Sequence, residues 1–258
     1  MPRPNRSVLL AILLSAALGA TACGGGNTEA PAAPAVPVPN PVDPATAGNI
    51  AGRVTFEGTP PAATRLRMDA DPNCAQAGGA GKTDDKLVVG ASGSLQHVFV
   101  YVKDGLGNLV FPVPATPVVL DQQGCVYVPH VAGLQVGQPL EVRNSDPTLH
   151  NVHATPTANR EFNQGFPLKG ISHTHTFSTK EVMVPFKCDV HGWMRAYVGV
   201  LDHPFHAVSD AGGAFSLTGL PPGTYTVEAW HESLGTQTQS VTIAEKESKD
   251  ITFTFKSA

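Results

Sequence analysis

The chain has 258 residues, with 17 Lys+Arg against 21 Asp+Glu, a net charge of −4 and four Cys. Charged residues make up 15 %, against about 25 % in ordinary soluble domains, and 26 Gly with 23 Pro favour turns over long helices. The basic footprint that nucleic-acid binding needs is missing, which excludes nucleic acid as the main partner.

In chain order, residues 1–23 read as an export signal. Arg3 and Arg6 precede the apolar run from Val8 to Leu14, and Ala20-Thr21-Ala22-Cys23 follows. The run is too short and wrongly flanked for a stable membrane span. Its end resembles a bacterial lipobox, which implies cleavage before Cys23 and lipid on the Cys23 sulfur. An ordinary secretory signal with an incidental Cys is the other reading. The lipobox resemblance implies a bacterial cell-envelope protein, periplasmic or on the outer membrane, touching the membrane only through its anchor. Residues 24–48 are Gly, Ala and Pro with almost no bulky apolar side chains. Such a stretch does not offset its own ordering entropy and is expected to be a disordered tether.

With Cys23 lipidated, Cys74, Cys125 and Cys188 remain in an oxidising compartment. Three is odd, so one disulfide and one thiol held for another purpose are expected. Cys188 lies inside a ligand-like motif, which leaves Cys74–Cys125 as the bridge; one or both as free buried thiols is the alternative. A loop of that length would stabilise by roughly 4 kcal/mol in the chain-entropy account.

From residue 49 onward, apolar residues alternate in short runs separated by Gly, Pro, Asn and Asp. Val98/Val100/Val102, Val182/Val184/Phe186, Ala196/Val198/Val200, Tyr225/Val227/Ala229 and Ile251/Phe253/Phe255 are such runs. Period two predicts half-buried antiparallel strands, and no window carries a long amphipathic helix. An all-β sandwich fold is expected, in two modules.

The chemistry concentrates in Cys188-Asp189-Val190-His191-Gly192-Trp193-Met194. A thiolate, an imidazole and a thioether at three-residue spacing are soft ligands, and His₂Cys with a long axial Met is the blue-copper arrangement. Zinc rarely uses Met, so the thioether weakens the Cys/His zinc reading. A second His must come from elsewhere. In Leu149-His150-Asn151-Val152-His153-Ala154, His150 shares its register with Val152 and Ala154, while His153 lies on the opposite face. His150 is the expected ligand; a β-bulge would exchange it for His153.

From about Pro117 to Leu201 the chain resembles a cupredoxin. It carries the strand and loop "GQPLEVRNSDPTLHN" and a short C-x-x-H-x-x-M loop of the amicyanin kind. The resemblance implies a Greek-key sandwich over 111–202 binding one type 1 copper ion through His150, Cys188, His191 and Met194. It makes Asn151 the residue that ties its strand to the ligand loop by hydrogen bonds. It further implies that His191 emerges at the surface within an apolar patch, with Trp193 a candidate member, where redox proteins dock transiently. Gly192-Trp193 stands where the family often shows Pro-Phe, and residues 49–110 have no counterpart in small cupredoxins.

His173-Thr174-His175 is expected to be solvated, or else a second, labile copper site. His130 begins the cupredoxin-like core; with His153, His173 and His175 it is a candidate for a second metal site. Residues 203–258 contain Gly213-Ala214-Phe215 and Leu220-Pro221-Pro222-Gly223-Thr224-Tyr225. This pattern resembles the carboxypeptidase regulatory-like, transthyretin-related sandwich. Residues 49–110 hold strands resembling the start of the same module, into which the cupredoxin segment would be inserted. The resemblance implies a structural or docking role and not peptidase activity, and the whole protein is expected not to be an enzyme. Two functions follow: an exported carrier of single electrons, or an envelope copper-binding and handling protein without redox turnover.

Overall fold

The computed structural model describes residues 38–78 and 81–257. The expected export signal and the lipidation site at Cys23 lie outside these residues. The expected tether ends before residue 48: Val42 packs on a hydrophobic core, and Lys246 N–H donates to Thr46 C=O at 3.0 Å.

Strands from both ends of the described chain build one sandwich. They are β1 (Gly48–Glu57), β2 (Phe99–Asp104), β12 (His206–Val208), β13 (Ala214–Leu220), β14 (Gly223–His231), β15 (Gly235–Ile243) and β16 (Ser248–Lys256). One sheet has the order β13-β1-β16, the other β12-β2-β14-β15. Their alternating inward residues, among them Ile50, Val54, Val100, Val102, Tyr225, Val227, Phe253 and Phe255, form one buried core. Burying each such side chain fully contributes about 1.5–3 kcal/mol. The tight turn before β13 explains its Gly pair. Asp210 Oδ1 accepts from the Gly212 and Ala214 amides, and at Gly213, with φ +72°, a Cβ would lie 2.3 Å from Val54 O.

The intervening chain forms a second sandwich from β3 (Val118–Gln122), β4 (Tyr127–Val128), β5 (Val131–Gln135), β6 (Pro139–Asn144), β7 (His150–Ala154), β8 (Phe162–Phe166), β9 (Ser172–Thr176), β10 (Glu181–Lys187) and β11 (Arg195–Leu201). Its sheets run β5-β11-β10-β7-β8 and β4-β3-β6-β9. The fold is all-β, as the alternation predicts, but its sheets are mixed where antiparallel strands were expected. β1 and β16, β5 and β11, and β3 and β6 pair in parallel, because strands distant in sequence meet side by side without a hairpin. Among the described residues the single α-helix is α1 (Pro72–Gly78).

One predicted row breaks. Val182, Val184 and Phe186 do not share a face, because β10 slips register between Glu181 and Val184, with Met183 at φ 62°. Val184 and Phe186 enter the second core with Cys188, whereas Val182 packs on a third cluster with Phe99, Val131, Met183 and Leu201. The extra residue of a bulge reverses side-chain parity on one side of it. That third cluster joins the two sandwiches, and glycines make the joint close. Gly133 and Gly199 pair across β5 and β11, and a Cβ on either would fall 2.6 or 2.4 Å from the Phe99 ring.

Candidate metal centre

β7 turns His150, Val152 and Ala154 inward, all fully buried, and leaves His153 half-buried on the outer face. There His153 Nδ1 lies 2.9 Å from Asp189 Oδ2 and Nε2 2.7 Å from Glu161 Oε1. The loop between β10 and β11 then brings Cys188, His191 and Met194 to the same end of the core. Loop closure is local: Met194 N–H donates to His191 C=O and Cys188 N–H to Met194 C=O.

The three ligand-type atoms converge. His150 Nδ1 and His191 Nδ1 are 2.9 Å apart, Cys188 Sγ is 3.9 Å from His191 Nδ1, and all three lie within 4.8 Å of one another. Metal bonds of about 2.0–2.1 Å to nitrogen and 2.3 Å to sulfur separate ligand atoms by about 3.3–3.8 Å. The set stands close to that spacing. Met194 is buried in the same cluster as Cys188.

Each imidazole is held by its far nitrogen. His150 Nε2 is 3.0 Å from Asp146 Oδ2, and Asp146 in turn accepts from the Gly124 and Cys125 amides at 2.7 Å each. His191 Nε2 is 3.3 Å from Asp71 Oδ2. Such contacts fix ring orientation and turn Nδ1 toward the centre. Burial lowers the His150 pKa, but Asp146 and Cys188 outweigh it and bring it to about 9. Burial and neighbouring His150 hold His191 below the usual histidine range. The two Nδ1 atoms face each other at hydrogen-bond distance, 2.9 Å. Burial pushes the Cys188 thiol up, and bonds from His150 and backbone amides bring it below its ordinary value.

Asn151 ties strand to loop. Its Oδ1 accepts from Asp189 N–H at 2.7 Å and from Cys188 Sγ at 3.3 Å, while Tyr127 OH donates to Asn151 C=O at 2.6 Å. Asp71, Asp146 and Tyr127 were not legible from spacing, though Asp146 lies four residues before His150.

The expectation of an exposed His191 is overturned: the residue is 3 % exposed. Asp71, α1 and the disulfide Cys74–Cys125 cover its outer edge, with Cys74 Sγ 3.7 Å from His191 Nε2. Trp193 is half-buried, its Nε1–H donating to Cys125 C=O at 2.9 Å. Asp71 and α1 lie outside the cupredoxin-like segment, and the bond to Cys125 anchors them to it. The exposed apolar neighbours of the ligands are Leu149 and Val190 instead.

Among the described residues, three groups bring three such ligand atoms together: His150/Cys188/His191, Asp71/Cys74/His191 and Cys125/Asp146/His150. None includes His130, His153, His173 or His175. His175 stacks on Phe162, centroids 3.9 Å apart, and His173 is exposed. His130 is buried between Glu232 and Asp85.

The family description "Carboxypeptidase regulatory-like domain" matches residues 195–256, from the first residue of β11 to the end of β16. Several solved cupredoxin structures resemble the chain in part. A reduced tryptophan-to-tyrosine mutant of amicyanin aligns at 24 % identity and TM-score 0.30, over 34 % of this chain and 85 % of amicyanin. The purple cupredoxin of Nitrosopumilus maritimus aligns at 19 % identity and TM-score 0.28, over 33 % of this chain and 98 % of that one. A copper-containing nitrite reductase from Thermus scotoductus SA-01 aligns at 17 % identity and TM-score 0.33, over 39 % of this chain. The chain spans about a quarter of the nitrite reductase, 26 % of its length. No curated protein matched.

Proposed function

We propose that the protein is a type 1 copper protein that carries single electrons in the bacterial cell envelope, without catalysing a reaction of its own. One observation carries this reading: the buried convergence of His150 Nδ1, His191 Nδ1 and Cys188 Sγ beside Met194. The donor set fits one copper ion, with two imidazoles and a thiolate as strong ligands and the thioether as a weak one. Copper in such a site supplies a one-electron couple. The chain supplies rigidity, because two packed sheets and the Asn151 bonds hold the ligands before metal arrives. The buried, apolar shell disfavours the more charged oxidised state. Metal binding requires neutral His150 and His191 and a deprotonated Cys188, so affinity falls in acid.

Partners would be other redox proteins, meeting the chain in small, transient contacts. No helix of the described residues is long and apolar enough to cross a membrane. Membrane attachment is proposed through lipid on Cys23.

The buried His191 favours a second reading, copper handling without redox turnover, because a covered ligand edge slows electron exchange. The visible and EPR spectra after Cu(II) addition test the first reading, beside Cys188→Ser. An intense blue thiolate band with narrow copper hyperfine splitting, lost in the variant, is expected. A colourless protein that takes up only Cu(I) or zinc overturns it and leaves handling.

A further inference from the structure

His191 has two edges. Nδ1 faces Cys188 and His150, whereas Nε2 faces Asp71 Oδ2 at 3.3 Å and Cys74 Sγ at 3.7 Å. These three atoms lie within 4.8 Å of one another. Ligand atoms around a tetrahedral ion stand about 3.3–3.8 Å apart. Asp71, Cys74 and His191 therefore already stand at metal-binding spacing, and what removes Cys74 as a ligand is its bond to Cys125. Asp71 is also preset: its Oδ1 accepts from the Asn73 and Cys74 amides, and Thr148 Oγ1 donates to its Oδ2 at 2.7 Å.

We propose that reduction of Cys74–Cys125 creates a second metal site, in which Asp71, Cys74, Cys125 and His191 Nε2 hold a thiophilic ion such as Zn(II) or Cu(I). A dithiol delivers two electrons and two protons to the disulfide and closes to its own disulfide, leaving two thiols. Each thiol releases its proton as its sulfur binds the ion. The resulting thiolates are soft ligands that select such ions. The cover over the sulfurs is thin: Pro72, Asn73, Gln76 and Ala77 of α1 are not buried, and α1 is seven residues long. Opening it breaks few backbone hydrogen bonds, so thiol reagents reach the pair by local unfolding. The site uses the opposite edge of His191 from the copper reading, and it does not need Cys188.

The test uses full-length Cys188→Ser, which lacks the thiolate of the first centre. It is titrated anaerobically with Co(II), a spectroscopic substitute for zinc, before and after treatment with a water-soluble phosphine. The phosphine becomes its oxide, with water supplying the oxygen and the two protons. One equivalent of Co(II) with a near-ultraviolet thiolate-to-metal band is expected after reduction, and none before. Asp71→Asn in the same background keeps the disulfide and should weaken binding about tenfold or more. A reduced protein without the thiolate band, or with a band unchanged when Cys74 and Cys125 are both Ser, overturns the proposal. The blue spectrum of oxidised wild type is a separate readout, so either idea can fail alone.

Discussion

Asn151 and Cys188 are bonded across the mouth of the second core, Sγ to Oδ1 at 3.3 Å, with the same oxygen accepting from the Asp189 amide at 2.7 Å. One side chain thus aligns the sulfur and the backbone that follows it. Asn151→Leu keeps the volume and removes the acceptor, leaving the Asp189 amide unpaired. Such losses around a metal lower affinity about 10- to 100-fold. The expected result is copper affinity reduced within that range, with the melting temperature of the metal-free protein lowered; unchanged competition with a chelator would show that Asn151 orients nothing.

Gly199 packs its bare Cα against Phe99 and Met183 at the joint between the sandwiches. Gly199→Ala places a methyl 2.4 Å from the Phe99 ring, inside van der Waals contact. Overpacking of this kind costs about 1–3 kcal/mol. Denaturant unfolding should show that loss, while the ligand positions, on the far side of β11, keep their metal spectrum. A variant as stable as wild type would mean that Phe99 moves aside at little cost.

His130 gives the joint a pH dependence. It is buried, with Nε2 2.5 Å from Glu232 Oε1 and Nδ1 3.2 Å from Asp85 Oδ2. Burial lowers its pKa, yet the two carboxylates outweigh burial and hold it at about 9. A folded pKa above the unfolded value of about 6.5 gives stability that is complete below pH 6.5 and lost as pH rises through 9. Melting temperature should decline across that interval in wild type and stay flatter in His130→Gln. Parallel curves would remove His130 as the cause.

His203 acts in the opposite direction. Its Nε2–H donates to Val102 C=O at 2.8 Å and its Nδ1 accepts from Phe205 N–H at 3.2 Å, a pattern that only the neutral ring satisfies. Burial holds its pKa near 4. The unfolded chain takes up the proton first, so stability is present above pH 6.5 and lost as pH falls toward 4. The loss from this one group is about 3 kcal/mol at its limit, at about 1.4 kcal/mol per unit. Urea midpoints at pH 7 and 4.5 for wild type and His203→Gln measure it; equal shifts in both would assign the acid loss elsewhere.

Much of the fold and the candidate ligand loop was legible because short-range rules act along one strand. Alternation of apolar residues puts Val198, Val200, Phe253 and Phe255 inside, and the parity of β7 separates His150 from His153. C-x-x-H-x-x-M spacing is a property of one turn, and it singles out Cys188. What the sequence could not decide were relationships between distant segments. The bulge at Met183, which sends Val182 to another core, depends on how β10 meets β11. The covering of His191 depends on residues about 120 positions earlier, Asp71 and Cys74, being drawn onto the ligand loop by the bond to Cys125. No periodicity records such a contact, because its energy comes from packing and cross-linking in space. The residue types that can hold a metal were written along the chain; whether their edges face solvent, carboxylate or disulfide was decided by the tertiary fold.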